Sequence, residues 1–242
     1  MDAPPPEAAG SDVVDIADLA DLDDAAFDQV YDLVLAPSFP PTELLGREVL
    51  RALYLGGNPD FFGYTVLRGH RPIAAALCEH HRPSRISLLD NLAVAPDIRQ
   101  GGHGGRLMRH LLSRWESADS VAFLAEVEDP RHHPGGEHGD PAARLRFYDR
   151  HGAQLLPLPY FQPSLGPGLD RVPNLLLLAL RTRDSGLPSA ALGAFLDDNI
   201  TACEGDTARD TDPDYRSLRD RVTAWPPTAP LWPLSRLADL PE

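Results

Sequence analysis

Apolar positions along the chain follow two rhythms. Runs or alternations bounded by Gly, Pro, Asn or Asp predict strands over residues 13–16, 61–68, 72–80, 86–94, 121–127, 154–161 and 172–180. Helical spacing predicts a helix over 21–35, where Phe27, Val30, Tyr31 and Val34 share a face. It predicts a second over 42–54, with Leu44, Leu45, Val49, Leu50 and Leu53 as core, and a third over 104–115, with Leu107, Met108, Leu111, Leu112 and Trp115. Asp23 or Asp24 stands where the first helix needs an N-cap, and Thr42 where the second does.

Arg68-Gly69-His70-Arg71 and Arg82-Pro83-Ser84 are turns of hairpin length, so the strands they join should pair antiparallel. The helix over 104–115 carries the chain back to 121–127, a connection long enough for a parallel neighbour. The predicted class is α/β (α+β): a mixed, mostly antiparallel central sheet flanked by helices. Residues 1–11 are rich in Pro and Ala and are expected to be disordered, 12–182 form the domain, and 183–242 form a helical and Pro-rich extension. Within the extension, 187–200 reads as an amphipathic helix and 206–221 is dense in charge. Prolines alternating with Trp225, Leu231, Trp232 and Leu234 exclude a regular helix and read as a strap on the domain's own surface or as a partner-binding segment.

At 242 residues and 43% hydrophobic composition, the chain has material for one domain with an appendage. The formal charge of -14 disfavours nucleic acid, whose affinity comes from Lys and Arg displacing counterions, and favours cationic partners. Cys78 and Cys203 form neither a disulfide framework nor a metal spacing, which fits a reducing cytoplasm. The N-terminus lacks the charge and apolar run of a signal peptide, and no apolar run approaches the length that spans a bilayer. His132, His133, Glu137 and His138 lie in a loop by composition, and adjacent histidines do not converge readily, so no metal centre is expected.

Between the strand at 86–94 and the helix at 104–115 lies Arg99-Gln100-Gly101-Gly102-His103-Gly104-Gly105. Glycines there allow positive φ and close approach, and main-chain amides opening a helix suit a diphosphate. The chain has no lysine, which excludes a Walker loop, and Leu107 stands where a dinucleotide fingerprint needs its third glycine. What remains, Arg-x-x-Gly-x-Gly at Arg99, Gly102 and Gly104, resembles the acetyl-coenzyme A loop of the GNAT family of N-acetyltransferases. Residues 143–153, with Phe147 and Tyr148 before a helix-ending Gly152, resemble that family's second signature, although Ala153 replaces a more usual phenylalanine. The resemblance covers residues 13–181.

It implies transfer of an acetyl, or larger acyl, group from acetyl-CoA to an amine, by direct attack in a ternary complex, with no metal. By resemblance, the main chain over Leu92, Ala93 and Val94 would hold the pantetheine arm. Arg99, Gln100, Gly101, Gly102, His103, Gly104 and Gly105 would hold the diphosphate, with Arg106 nearby. The hydroxyl of Tyr148 would protonate the leaving sulfur, and the early helical pair would wall the acceptor. An alkyl ammonium leaves only about one molecule in 10³ to 10⁴ neutral at pH 7, so a base is needed. Glu126 is the preferred candidate, Asp90 the next, with Glu128 and Glu79 behind them. Alternation puts Glu126 and Glu128 on the face of Leu124, opposite Val127. The acceptor is expected to be a small-molecule or peptide amine, cationic in form. Monomer and homodimer both stay open, as does a non-catalytic coenzyme A-binding or interaction module using the tail.

Overall fold

The computed structural model describes residues 14–98, 101–136 and 138–240. Arg99, Gln100, Glu137 and the N-terminal segment expected to be disordered lie outside the described residues.

Among the described residues nine strands form one sheet. The first four, β1 (Val14–Asp18), β2 (Phe61–Arg68), β3 (Arg71–His81) and β4 (Ile86–Val94), make an antiparallel meander. Next to β4 lies β5 (Ala122–Glu128), parallel to it, because α3 (His103–Glu116) returns the chain across the sheet between them. The long strand β8 (Val172–Thr182) pairs antiparallel with β5 on one side. Its other side takes two short pieces, β6 (Gln154–Leu155) and β7 (Tyr160–Gln162). The continuous strand expected over 154–161 is broken, because Pro157 and Pro159 have no N–H to give the ladder, while Leu156 and Leu158 still drop into the core. At the far edge β9 (Trp232–Pro233), from the C-terminal extension, pairs with β6.

Strand alternation gives the sheet two apolar faces, and helices cover both. One face packs Val66, Ile73, Phe123 and Val127 against Leu107, Met108 and Leu111 of α3 and against Tyr148 of α4 (Pro141–Arg150). On the other face, Phe27 and Val30 of α1 (Asp24–Val30) and Leu50 of α2 (Arg47–Leu55) cover Ala75, Leu77 and Ala93. The rest of that face, Leu88, Leu124 and Leu177, is covered by Leu192, Phe195 and Ile200 of α5 (Ser189–Glu204). Two short helices follow, α6 (Asp206–Thr211) and α7 (Pro213–Thr223), and the latter adds Tyr215, Leu218 and Val222 to the same cluster. Beyond them Leu234 and Leu240 cross back to the first face, and the Arg236 guanidinium lies 3.9 Å from the Trp232 ring centre.

Asp23 caps α1, its Oδ1 accepting from the Ala26 amide at 2.8 Å. Thr42 caps nothing: α2 begins only at Arg47, after Gly46, and Val49 is 50% exposed rather than part of the core. The carbonyls that a helix from Thr42 would use are taken elsewhere. Gln162 Nε2 donates to Thr42 O at 3.0 Å, and Asn91 Nδ2 donates to Glu43 O at 3.2 Å. Two distant side chains therefore hold this segment open beside the sheet, and glycine at 46 makes unwinding cheap.

Candidate active site

The parallel pair does not run to its end. Strands β4 and β5 pair from Ile86↔Ala122 to Leu89↔Ala125 and then diverge, β4 staying with β3 and β5 with β8. At the divergence β4 carries a bulge, since Leu77 faces Asn91 and Cys78 faces Leu89, leaving Asp90 as the additional residue. A cleft opens between the splayed ends, and groups from opposite faces of the sheet can meet there.

The wider part of the cleft has a volume of about 510 Å³ and is lined by Leu92, Ala93 and Val94 of β4, by Gly102, His103, Gly104 and Gly105, and by Tyr148. Gly102 is the N-cap of α3 at φ +70°, and no side chain caps that end. The carbonyl of Gly102 takes the Arg106 amide at 3.0 Å, so the amides of His103, Gly104 and Gly105 precede the first intrahelical donor. A methyl group built on Gly102 meets nothing within 4 Å, so open space lies beside the turn. Gly104 is tight for another reason: its Cβ would sit 3.3 Å from Val94 Cγ2, so glycine lets α3 press onto β4.

His103 turns its ring under Gly101 and toward Arg68, 3.4 Å from Nη2; burial and the nearby arginines hold it below the ordinary imidazole range. Gly101 and Arg106, both expected at the diphosphate, are not among the lining residues. Arg109, Arg144, Arg150 and His151 line the cleft instead. Arg109 stands one helical turn beyond Gly105, a spacing the sequence offers but the glycine motif does not draw attention to. In the neighbouring loop His133 Nε2 bonds to Pro173 O at 2.9 Å, and His138 borders the cleft.

A second cavity of about 250 Å³ lies on the opposite face, walled by Leu45, Leu50 and Leu53 from the α2 region, Phe61 and Leu77 from the sheet, and Asn199, Ala202 and Cys203 of α5. Three carboxylates enter this chamber, Glu79 from β3, Asp90 from β4 and Glu126 from β5, beside the side-chain amides of Asn91, Gln162 and Asn199. Between chamber and cleft lies a void of about 30 Å³, bordered by Asp90, Glu126 and Tyr148 together with Glu43 and Gln162.

Glu126 is raised to about 7 by burial, opposed by a hydrogen bond from Tyr160 and reinforced by the charge of Glu43. The Tyr160 hydroxyl donates to Glu126 Oε1 at 2.5 Å and accepts from Asn199 Nδ2 at 3.2 Å. Burial pushes Asp90 well above the carboxylate range, helped by Glu79 and Glu126. Glu79 is raised too, by burial, although nearby His81 opposes it. Glu128 differs, because Arg144 Nη1 donates to its Oε2 at 2.7 Å and occupies it as an ion-pair partner. Tyr148, buried on the other face, is pushed up to about 12 by its burial and stays protonated at neutral pH.

Sequence reasoning had no means of finding Tyr160, Asn199, Glu43 or Gln162. Tyr160 follows a proline-broken stretch and Asn199 belongs to the extension, so neither falls on a signature.

No protein-family model and no curated protein matches the sequence. Solved structures do resemble the fold. A protein from Bacteroides thetaiotaomicron described as a GNAT-family acetyltransferase matches with a TM-score of 0.53 at 23% identity, over 82% of this chain and 89% of its own. A tandem GNAT protein of the clavulanic acid biosynthesis pathway gives 0.51 at 22% identity, over 62% of this chain and 46% of that one. The loading GNATL domain of CurA from Lyngbya majuscula gives 0.50 at 12% identity, over 69% and 96%. The chain has the fold of the GNAT acetyltransferases, as its two signatures imply. Among the described residues no helix is long and apolar enough to cross a membrane.

Proposed function

We propose that this chain is an N-acetyltransferase that moves an acetyl group from acetyl-CoA to a small cationic amine. The observation that carries the reading is the void between cleft and chamber, bordered at once by a carboxylate near neutrality and by a protonated tyrosine.

The residues present fit the co-substrate. Unpartnered first-turn amides and the open space beside Gly102 suit a diphosphate, and the exposed Arg109 and Arg150 suit further phosphate charge. Leu92, Ala93 and Val94, on the edge of β4 that β5 has left, offer main-chain partners for the pantetheine arm. The thioester supplies an activated carbonyl carbon, at which a C–N bond forms as the C–S bond breaks.

The chain's own groups manage the protons. Glu126, ionised in about half of the molecules at pH 7, takes a proton from the ammonium and so frees the nitrogen lone pair. Tyr148 gives its proton to the departing sulfur, and the second N–H proton lost by nitrogen makes good that loss through the void. The balance is one amide, one thiol and one proton released to water. Asp90, the second candidate, is likewise pushed up by burial and has no hydroxyl among the described residues to favour its ionised form as Tyr160 does for Glu126.

The test is continuous thiol release over a panel of amines, run beside calorimetry with coenzyme A. Turnover with at least one primary amine is expected. Tight coenzyme binding with no release from any amine would instead favour a binding module. The two unpaired cysteines agree with a cytoplasmic location, which we include in the proposal.

A further inference from the structure

We propose that the acceptor is a short α,ω-diamine whose reacting amine lies at Glu126 while the second, still ionised, lies against Glu79 and Asp90. This rests on the chamber being the acceptor side of the reaction.

The three carboxylates form a row. Glu79 pairs across the sheet with Leu88, Leu88 pairs with Leu124, and Glu126 stands two residues beyond Leu124, so both acids point to the same face of the sheet. Asp90 lies on the strand between them, and Glu79 and Glu126 are therefore two strand spacings across and two residues along the sheet from each other, roughly 12 Å between their backbones. A single ammonium cannot serve both ends of such a row.

Among the described residues no cationic side chain lines the chamber. Asp90 receives no side-chain hydrogen bond from any described residue, although it lies deep enough for burial to dominate its titration. A half-buried carboxyl that faces a cavity with only its own main-chain amide as partner is a position for a ligand, because a poorly compensated charge in such a place is costly. His81 approaches Glu79 only to 3.9 Å, and its Nδ1 is bonded to Asp198 at 2.7 Å, so its ring is held by a different acid.

Size and wall chemistry fix the rest. A cavity of about 250 Å³ suits a small acceptor rather than a large one, and a short diamine is of that order. Leu45, Leu50, Leu53 and Phe61 suit a methylene chain and offer nothing to hydroxyl-rich bodies. A methylene chain with a cation at each end meets both the acids and the apolar walls of the chamber.

The experiment compares 1,5-diaminopentane with pentylamine, equal in carbon number and differing by the second terminal amine, by thiol release from wild-type protein under saturating acetyl-CoA. We expect kcat/KM for the diamine to exceed that for pentylamine by about 100-fold. Glu79→Gln should shrink the ratio below about tenfold, a change that general destabilisation, lowering both rates together, would not produce. Equal rates for the two amines, or a ratio that Glu79→Gln leaves intact, overturn the diamine assignment while acetyl transfer stands. Absence of thiol release from every amine overturns the acetyl-transfer reading and the diamine with it. The wild-type ratio decides the question even if the variant does not fold.

Discussion

Glu126 sits between two opposed influences, a dry surrounding that favours its neutral form and a tyrosine hydroxyl that favours its ionised one. Asn199 settles the direction of that hydroxyl, because an amide N–H donated to the Tyr160 oxygen leaves the phenolic proton for Glu126. Tyr160→Phe removes the influence that lowers the carboxyl, so the acid limb of the kcat/KM profile should move to higher pH from its expected position near 7. A limb that stays in place would separate Glu126 from the titration. Tyr148→Phe should leave the coenzyme dissociation constant unchanged and lower kcat by about 100-fold, because a thiolate is a tolerable leaving group and the donor contributes at the low end of acid catalysis. Single-turnover kinetics beside calorimetry separates the two effects.

Among the elements, the turn into α3 and the segment ahead of α2 do opposite things with main-chain groups. At α3 the amides are left free and the backbone takes φ +70° at Gly102, which only glycine adopts at little cost. Gly102→Val adds both strain and bulk beside the turn. Calorimetry should show coenzyme affinity reduced at least about 100-fold while far-ultraviolet circular dichroism stays that of the parent, since the position touches no core side chain. Ahead of α2 the carbonyls are instead captured, by Asn91 and Gln162, and the segment so held puts Leu45 and Glu43 beside the chamber and void. The break of β6 from β7 works to the same end, since Tyr160 and Gln162 both stand on the piece beyond the prolines.

For the whole molecule, building an acidic chamber into a sheet has a cost that depends on pH. Glu126, Asp90 and Glu79 all have folded values above those of the free side chains, so the folded chain holds protons that the unfolded chain releases. The contribution is full below about pH 4.5 and is lost as pH rises through the folded values, which for Glu126 means the window from 4.5 to about 7. The ligand-free protein should therefore lose thermal stability between pH 5 and pH 8, and Glu126→Gln should remove up to about 3 kcal/mol of that slope. A melting temperature that is flat across this range in both proteins would contradict it. A bound diamine should offset the loss, because it supplies the charge that the chamber lacks.

The sequence by itself determined what near neighbours in the chain decide. Periodicity set the strands and the face of α3, Asp23 set the cap of α1, glycines marked the turn into α3, and the length of one crossover made β4 and β5 parallel. Alternation also put Glu126 and Glu128 together on one face. Only the tertiary structure separated them, by bringing Arg144 to Glu128 and Tyr160 with Asn199 to Glu126. It likewise held 42–46 out of a helix and folded α5 over the chamber. The division has a physical reason. Propensity, capping and pattern act over a few residues, whereas desolvation and hydrogen-bond partners at the splay between β4 and β5 come from other elements, 16 residues away for Arg144 and more than thirty for Tyr160 and Gln162.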